Sequence, residues 1–144
     1  MEVVMTENET TEFTDCVGVI CFRGEEVLLI KRGTAPRKGE WSIPGGRIEP
    51  NESERDAALR ELLEETQITA ILRSKVAVIN AEFEDYKYRL HDYAAIWVSG
   101  EPCFGDDAVD AKFFAPKDLD ALGMWPKTRE VIETARQSLN QTTM

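Results

Sequence analysis

The stretch SERDAALRELLEETQ, residues 53–67, predicts a helix and carries an unusual charge pattern. Ser53 is suited to be the N-cap, and Asp56 follows three residues later in a capping-box-like arrangement. Glu61, Glu64 and Glu65 crowd the other end of this helix. Each like-charge pair at this spacing costs about 0.2–0.5 kcal/mol, and negative charge near a helix C-terminus opposes the helix dipole. The helix therefore needs an interaction that offsets these penalties.

The predicted helix has two opposite faces at 100° per residue. The polar arc holds Glu54, Ala57, Arg60, Glu61, Glu64 and Glu65. The opposite arc holds Ala58, Leu59, Leu62 and Leu63, which we predict to face the core. A divalent cation would offset the repulsion, because hard cations bind carboxylate oxygens and these glutamates can converge from adjacent turns. A solvated polar face is the alternative, but it leaves the penalties uncompensated.

The segment PGGRIEPNE, residues 44–52, precedes the helix and contains a pair of glycines. Glycine lets a ligand approach the main chain closely. The Gly45 carbonyl could then join the carboxylates as another oxygen ligand. An ordinary turn is the alternative interpretation of the glycine pair.

The rest of the chain alternates predicted strands with turns and ends in a helix. Strands are predicted at 14–22, 25–32, 68–83, 86–98 and 111–115, with a loop at 33–40, a helical turn at 116–122 and a closing helix at 126–140. Strands mixed with two substantial helices favour an α+β domain layered as α/β/α. We expect residues 1–13 to be a flexible N-terminal tail and residues 14–144 to be a single domain.

Composition and charge exclude several classes of partner for this chain of 144 residues. The net charge of −10, from 27 acidic and 17 basic residues, argues against nucleic acid or an anionic membrane as the partner. The N-terminus lacks the features of a signal peptide, so a cytoplasmic location is expected. Cys16 and Cys21 are five residues apart on one predicted strand, so they should point to opposite faces and remain unbridged.

The residues from Gly46 to Ile68 resemble the Nudix box. That pattern is Gly, five residues, Glu, seven residues, then Arg-Glu-apolar-x-Glu-Glu-x-Gly-apolar. The matching positions in this chain are Gly46, Glu52, Arg60, Glu61, Leu62, Glu64, Glu65 and Ile68. The one departure is Gln67, which stands where the pattern has its last glycine. A non-glycine residue in the left-handed conformation that ends a helix costs about 1 kcal/mol.

The resemblance implies the Nudix fold, a mixed sheet between helices, and hydrolysis of a nucleoside diphosphate linked to another group. It implies Glu61, Glu64, Glu65 and the Gly45 carbonyl as ligands of Mg²⁺, with Mn²⁺ as an alternative. It also implies a salt bridge between Arg60 and Glu52 that orients the site. Relatives differ on which glutamate is the base, with Glu61 and Glu64 as the candidates here, and relatives are often homodimers.

Three functions are compatible with this resemblance. The chain most resembles members that cleave ADP-ribose and similar dinucleotides or nucleotide sugars, so we expect such a small-molecule nucleotide as substrate. Hydrolysis of nucleoside triphosphates is the second candidate. The third is a non-catalytic module with a degenerate box, which the intact glutamates argue against.

Residues outside the box supply further candidates. Basic residues before it are candidates for phosphate contacts, and they are Lys31, Arg32, Arg37 and Lys38, with Gly46 as a further substrate contact. Trp41, Trp97 and Trp125 suit either core packing or stacking on a base. His91 is interpreted as structural rather than catalytic. A loop contributes Asp106, Asp107 and Asp110 as candidates for an additional acid.

Overall fold

The structure, a computed structural model, describes residues 13–105 and 107–142 and contains seven strands and two helices. The strands are β1 (Thr14–Arg23), β2 (Glu26–Arg32), β3 (Trp41–Ser42), β4 (Gly45–Arg47), β5 (Thr69–Phe83), β6 (Tyr86–Ser99) and β7 (Ala108–Phe114). The helices are α1 (Glu54–Thr66) and α2 (Pro126–Thr142), and the 3₁₀ turns Pro116–Asp118 and Asp120–Leu122 precede α2. The predicted elements are confirmed, although β7 begins three residues before its predicted start.

The strands form one mixed sheet in the order β3-β2-β1-β6-β5, with β4 pairing to β1 and β7 pairing to β2. Strands β1 and β6 run parallel, whereas the other pairs are antiparallel. This parallel pair places Gly18 beside Asp92 and Val17 beside His91. The long β5–β6 hairpin thus lies beside β1, and β1 separates it from the glycine-containing β4.

Two hydrophobic cores lie on opposite faces of the sheet, as alternation along β1 requires. Val17, Val19 and Cys21 of β1 pack in the core that α1 covers. Ile20 and Phe22 pack in the core that α2 covers. The α/β/α layering is confirmed, and Cys16 and Cys21 are both buried and unbridged, as expected.

Helix α1 begins as predicted, because the Ser53 hydroxyl accepts a hydrogen bond of 3.0 Å from the Asp56 N–H. Its buried face differs from the prediction. Ala57, Ala58, Leu62, Glu65 and Thr66 are buried, whereas Leu59 and Leu63 are 38% and 47% exposed. The assignment of those two leucines to the core was therefore wrong. The small side chains of the two alanines contact the sheet, and a hydrogen bond to main chain holds Glu65 inside.

The C-terminal end of α1 is closed by backbone hydrogen bonds. Gln67 has φ 65° and ψ 19°, the left-handed conformation, and its N–H donates to the Leu63 carbonyl at 2.9 Å. In addition, the N–H groups of Cys103 and Gly105 donate to the Thr66 and Glu65 carbonyls at 3.0 and 2.9 Å. These bonds satisfy carbonyls that a helix end leaves without intrahelical partners.

The expected N-terminal tail falls almost entirely outside the described residues, which begin at residue 13. Over residues 13–105 and 107–142, neither helix is long and apolar enough to cross a bilayer.

Replacing Gln67 with glycine should stabilise the fold by about 1 kcal/mol, because glycine adopts positive φ without a steric penalty. Chemical denaturation of wild type and Gln67→Gly measures this difference. The control is Gln137→Gly at an exposed position within α2, which should destabilise by about 0.5–1 kcal/mol. Destabilisation in both variants would show that the Gln67 side chain makes a contact that stabilises the fold by more than its left-handed backbone conformation costs.

Candidate active site

Arg60 joins the segment before α1 to the acidic face of the helix. Its Nε and Nη2 donate to the two carboxylate oxygens of Glu52 at 2.6 and 2.9 Å. Nη2 also donates to the Arg47 carbonyl at 3.1 Å, and Nη1 donates to Glu61 and Glu64, both at 3.2 Å. The hydrogen bond from Arg60 lowers the pKa of Glu52 to about 2. The geometry of the Arg60–Glu52 salt bridge agrees with the prediction.

Glu65 and Glu61 are the carboxylates of α1 that face into the protein. Glu65 is 9% exposed, and one oxygen accepts a hydrogen bond of 2.8 Å from the Gly45 N–H. Burial raises the pKa of Glu65 to about 7, and the negative charge of Glu61 adds to this effect. Burial also raises the pKa of Glu61, despite the opposing charge of Arg60. A nearby cation would therefore stabilise the ionised form of both side chains.

The main chain of Gly45 is oriented away from β1. Its neighbours bond to that strand, since the Val19 N–H donates to the Pro44 carbonyl at 2.9 Å and the Ile48 N–H donates to the Asp15 carbonyl at 3.2 Å. Antiparallel pairs exchange hydrogen bonds at every second residue. The N–H and carbonyl of Gly45 consequently point to the side on which α1 lies, which keeps the carbonyl a candidate ligand.

Gly46 is required by close packing against the acidic helix. A Cβ at this position would lie 2.3 Å from a carboxylate oxygen of Glu61. Any larger residue would displace that carboxylate, so the Gly46 position determines where Glu61 can lie.

A cleft of about 500 Å³ opens beside these residues. Glu61, Glu65 and Asp107 line one part of it, and the charge of Asp107 contributes to the raised pKa of both glutamates. Phe83 and Trp125 line another part, with their rings edge to face at 4.7 Å between centroids. The cleft thus combines an acidic end with an aromatic end.

The predicted phosphate-contacting residues have different surroundings. Arg32 and Arg37 both line the cleft. Arg32 donates from Nε to the Pro36 carbonyl at 2.6 Å. Arg37 pairs with Glu40 through a hydrogen bond of 2.7 Å and lies over the Phe83 ring at 4.9 Å. Lys38 is exposed and does not line the cleft, so its predicted role has the least geometric support.

Two of the tryptophans and the histidine make contacts with other residues of the fold. Trp41 packs edge to face on Phe114 at 4.9 Å, whereas Trp97 donates to the Gly100 carbonyl at 2.9 Å. His91 lies outside the cleft lining, with Nε2 3.0 Å from a carboxylate oxygen of Asp15. These contacts favour structural roles for the three side chains.

The three predicted acids of the loop also have different surroundings. Asp107 lines the cleft, as described above. Asp110 accepts a hydrogen bond of 2.8 Å from the Ala111 N–H. Asp106 lies outside the described residues. Asp107 is therefore the candidate that geometry favours as an additional acid.

Asp92 is a cleft residue that sequence reasoning missed. It lies on β6, lines the cleft, and is 3% exposed. The available signal was an acid among apolar and aromatic residues of a strand. Asp92 is two residues from Leu90, so alternation directs both side chains to the same face of the strand. An acid at such a position is rarely fully buried without a reason.

The oxygen donors suit a hard divalent cation. The fit rests on two inward-facing carboxylates, Glu61 and Glu65, whose pKa values are raised by burial and by neighbouring negative charges that include Asp107. Across residues 13–105 and 107–142, no three acidic, histidine or cysteine side chains form a ready metal cluster, and Glu64 is turned towards Arg60 instead. When bound, a divalent cation polarises phosphate oxygens and acidifies water.

The layered fold, the acidic helix and the adjoining glycine segment together define a hydrolase that acts on nucleotide derivatives. The family model described as the NUDIX domain matches residues 12–135, and the chain belongs to this family. Nudix hydrolases generally use divalent metals.

Relatives and solved structures agree with this membership. A Bacillus subtilis (strain 168) protein that bears a provisional 8-oxo-dGTP diphosphatase name is 28% identical over 127 residues, covering 86% of this chain and 82% of that protein. The ADP-ribose pyrophosphatase of Methanocaldococcus jannaschii is 33% identical over 102 residues, covering 69% of this chain and 60% of that protein. A MutT NUDIX hydrolase structure from Burkholderia pseudomallei has a TM-score of 0.73 at 29% identity, covering 84% of this chain and 96% of that chain.

Gly46→Ala should reduce kcat at least about 10-fold, the scale expected when support of a metal site is disturbed. The added methyl group displaces the flexible Glu61 carboxylate, so the free energy of unfolding should change little. Steady-state kinetics and chemical denaturation measure the two effects. Glu61→Gln removes the charge without the clash and should show a comparable loss; normal turnover in Gly46→Ala would exclude a role for the Glu61 position.

The metal-free protein should lose stability as the pH rises from about 4.5 to about 7. The pKa of Glu65 is raised from 4.5 to about 7 in the folded state, so the unfolded chain releases its proton first and unfolding is favoured over this range. Asp92 acts in the same direction. Urea denaturation in EDTA should show a shallower decline for Glu65→Gln, and an unchanged decline would contradict the raised pKa.

Proposed function

We propose that this protein hydrolyses the phosphoanhydride linkage of a nucleoside diphosphate derivative, using a divalent cation held by α1. The observation that carries the proposal is the pair of inward-facing glutamates, Glu61 and Glu65, packed against the Gly45–Gly46 segment at the acidic end of the cleft. Glu64 and the Gly45 carbonyl would complete the oxygen ligands. Mg²⁺ is the first candidate and Mn²⁺ the second.

The remaining residues have positioning and proton-transfer roles in this proposal. Arg60 and Glu52 hold the loop to the helix through two short hydrogen bonds. Glu61 and Glu64 both lie beside Arg60 and are the candidates for taking a proton from the attacking water. Arg32 and Arg37 line the cleft and would contact the phosphates, with Gly46 allowing close approach to the main chain.

The reaction breaks the bond between one phosphorus and the bridging oxygen while water forms a new bond to that phosphorus. In-line displacement of this kind depends on positioning and on charge neutralisation. The products are a nucleoside monophosphate and a phosphorylated remainder. Because the protein is strongly anionic, a bound cation would also screen it from an anionic substrate.

ADP-ribose or a related dinucleotide or nucleotide sugar is the first substrate candidate. The 33% identity to the Methanocaldococcus jannaschii ADP-ribose pyrophosphatase supports it, and the volume and aromatic end of the cleft suit a nucleoside. A nucleoside triphosphate is the second candidate, supported by the longer alignment to the Bacillus subtilis relative. A nucleotide-binding module without turnover is a third function, which the presence of all three glutamates disfavours.

A substrate panel tests the proposal directly. Purified protein with Mg²⁺, Mn²⁺ or EDTA is incubated with ADP-ribose, dinucleotides, nucleotide sugars and nucleoside triphosphates, and released monophosphate is measured. We expect metal-dependent release that is greatest for ADP-ribose or its relatives. Calorimetric binding of ADP-ribose without any turnover would instead support the binding module.

Glu64→Gln and Glu65→Gln should each lower turnover by orders of magnitude while leaving the fold intact, since each removes an anionic oxygen donor. Without metal, Glu65→Gln should be as stable as the wild type or slightly more stable, because a repulsive charge is gone. Glu64→Gln also loses an exposed ion pair with Arg60, so its stability should change little. Glu25→Gln, at an exposed position in the β1–β2 turn, is the matched control and should retain activity. Unchanged turnover in both helix variants would remove these glutamates from the site.

A further inference from the structure

Asp92 is a buried acid of the cleft that hydrolysis, as proposed, does not use. Alternation along β6 places its side chain on the same face of the strand as Tyr88 and Leu90, which line the same cleft. Ala94, the next residue on that face, packs in the core that α2 covers. Asp92 therefore lies on the α2 side of the sheet, whereas the acidic helix α1 covers the other side.

The Asp92 carboxyl has no hydrogen bond or ion pair with any residue in the part of the chain that the structure describes. Glu65, by comparison, has the Gly45 N–H as its partner. Asp92 is only 3% exposed, and buried polar groups are nearly always hydrogen-bonded. This carboxyl consequently has hydrogen-bonding capacity that a ligand in the cleft can fill.

The sheet leaves space for this carboxyl through a glycine on the adjacent strand. Gly18 of β1 is in register with Asp92 and also lines the cleft. A Cβ on Gly18 would clash with Oδ1 of Asp92 and would lie 2.8 Å from Cδ1 of Ile43. The carboxyl is thus accommodated only because residue 18 has no side chain.

The surroundings of Asp92 exclude the phosphates of the substrate as its partner. Burial is the sole cause that raises the pKa of Asp92 to about 7, so no cation of the cleft lies close enough to affect it. The cleft residues that pack in the α2 core are apolar, namely Ile43, Ile79 and Val131. A phosphate beside Asp92 would lose its hydration without gaining a counter-charge, which is unfavourable. The uncharged nucleoside is the part of the substrate that suits this position.

We propose that Asp92 determines substrate specificity by accepting a hydrogen bond from a donor of the nucleoside, either an N–H of the base or a hydroxyl of its ribose. The inference rests on the proposed hydrolysis of a nucleoside diphosphate derivative, and it identifies the residue that would hold the nucleoside.

The contact does not depend on where the proton of the carboxyl lies. An ionised carboxylate is an acceptor at both oxygens, and a neutral carboxyl keeps an acceptor oxygen beside its O–H. ADP-ribose carries both kinds of donor in its adenosine. The N6 amine is the N–H donor of adenine, and the ribose presents its 2′ and 3′ hydroxyls.

The test measures kcat/KM for ADP-ribose and for three analogues that each lack one donor of the adenosine. The analogues have purine in place of adenine, 2′-deoxyribose, or 3′-deoxyribose. The wild type should lose about 10- to 100-fold on the analogue that lacks the bound donor, the scale for an unpaired buried polar group. Asp92→Leu removes both acceptor oxygens and should cleave that analogue and ADP-ribose within a few-fold of each other.

The comparison separates the contact from general damage, because damage to the fold would affect all four substrates alike. The analogue whose loss disappears in Asp92→Leu identifies the donor as the base amine or as one of the hydroxyls. Asp92→Asn keeps an acceptor oxygen and should retain the wild-type discrimination within a few-fold. The matched control is Asp118→Asn at an exposed position in the first 3₁₀ turn, which should retain it fully.

Circular dichroism establishes folding, and Asp92→Ala replaces the leucine variant if the latter does not fold. The inference is overturned if the variant without the carboxyl discriminates among the four substrates as the wild type does. Absence of turnover for the whole substrate panel overturns the proposed function instead. Calorimetric affinities for the same four ligands then measure the Asp92 contact, and absence of binding as well overturns both.

Discussion

The Arg60 guanidinium offsets the repulsion among the carboxylates of this site. Its planar donors contact Glu52, the Arg47 carbonyl, Glu61 and Glu64 at 2.6–3.2 Å. A guanidinium presents several donors in fixed directions, so one side chain can connect a loop to a helix and offset carboxylate repulsion together. Without this side chain, Glu52, Glu61 and Glu64 would lose the guanidinium that pairs with all three carboxylates.

Much of the fold follows from local signals in the sequence. Ser53 initiates α1 because its side chain can accept from a backbone N–H that the helix leaves unpaired. The apolar and β-branched residues of β1 predict a strand, and the structure places them in both cores. The spacing of glycine, arginine and glutamates in the Nudix box similarly locates the acidic end of the cleft, because these residues lie within one loop and one helix.

Other features depend on contacts between residues far apart in the chain. The exposure of Leu59 and Leu63 follows from how α1 is rotated against the sheet, and the inward position of Glu65 requires the Gly45 N–H. Asp92 acquires its environment from the parallel β1–β6 pair, which puts it against Gly18. A window of sequence around Asp92 shows an acid among apolar residues, but it does not contain the glycine of β1 that leaves space for the carboxyl, so the position of Asp92 in the cleft could not be predicted.

The segment that closes the end of α1 has a consequence for how the chain can vary. Residues 100–105 form the first part of the connection from β6 to β7 and resemble a surface loop of the kind that ordinarily accepts insertions and deletions. Yet two of their N–H groups bond to the last carbonyls of the acidic helix, and a Cβ on Gly105 would lie 2.4 Å from the Glu64 carbonyl. Changing the length of this loop would detach the helix end that carries the glutamates. Length variation should consequently be disfavoured between Gly100 and Gly105.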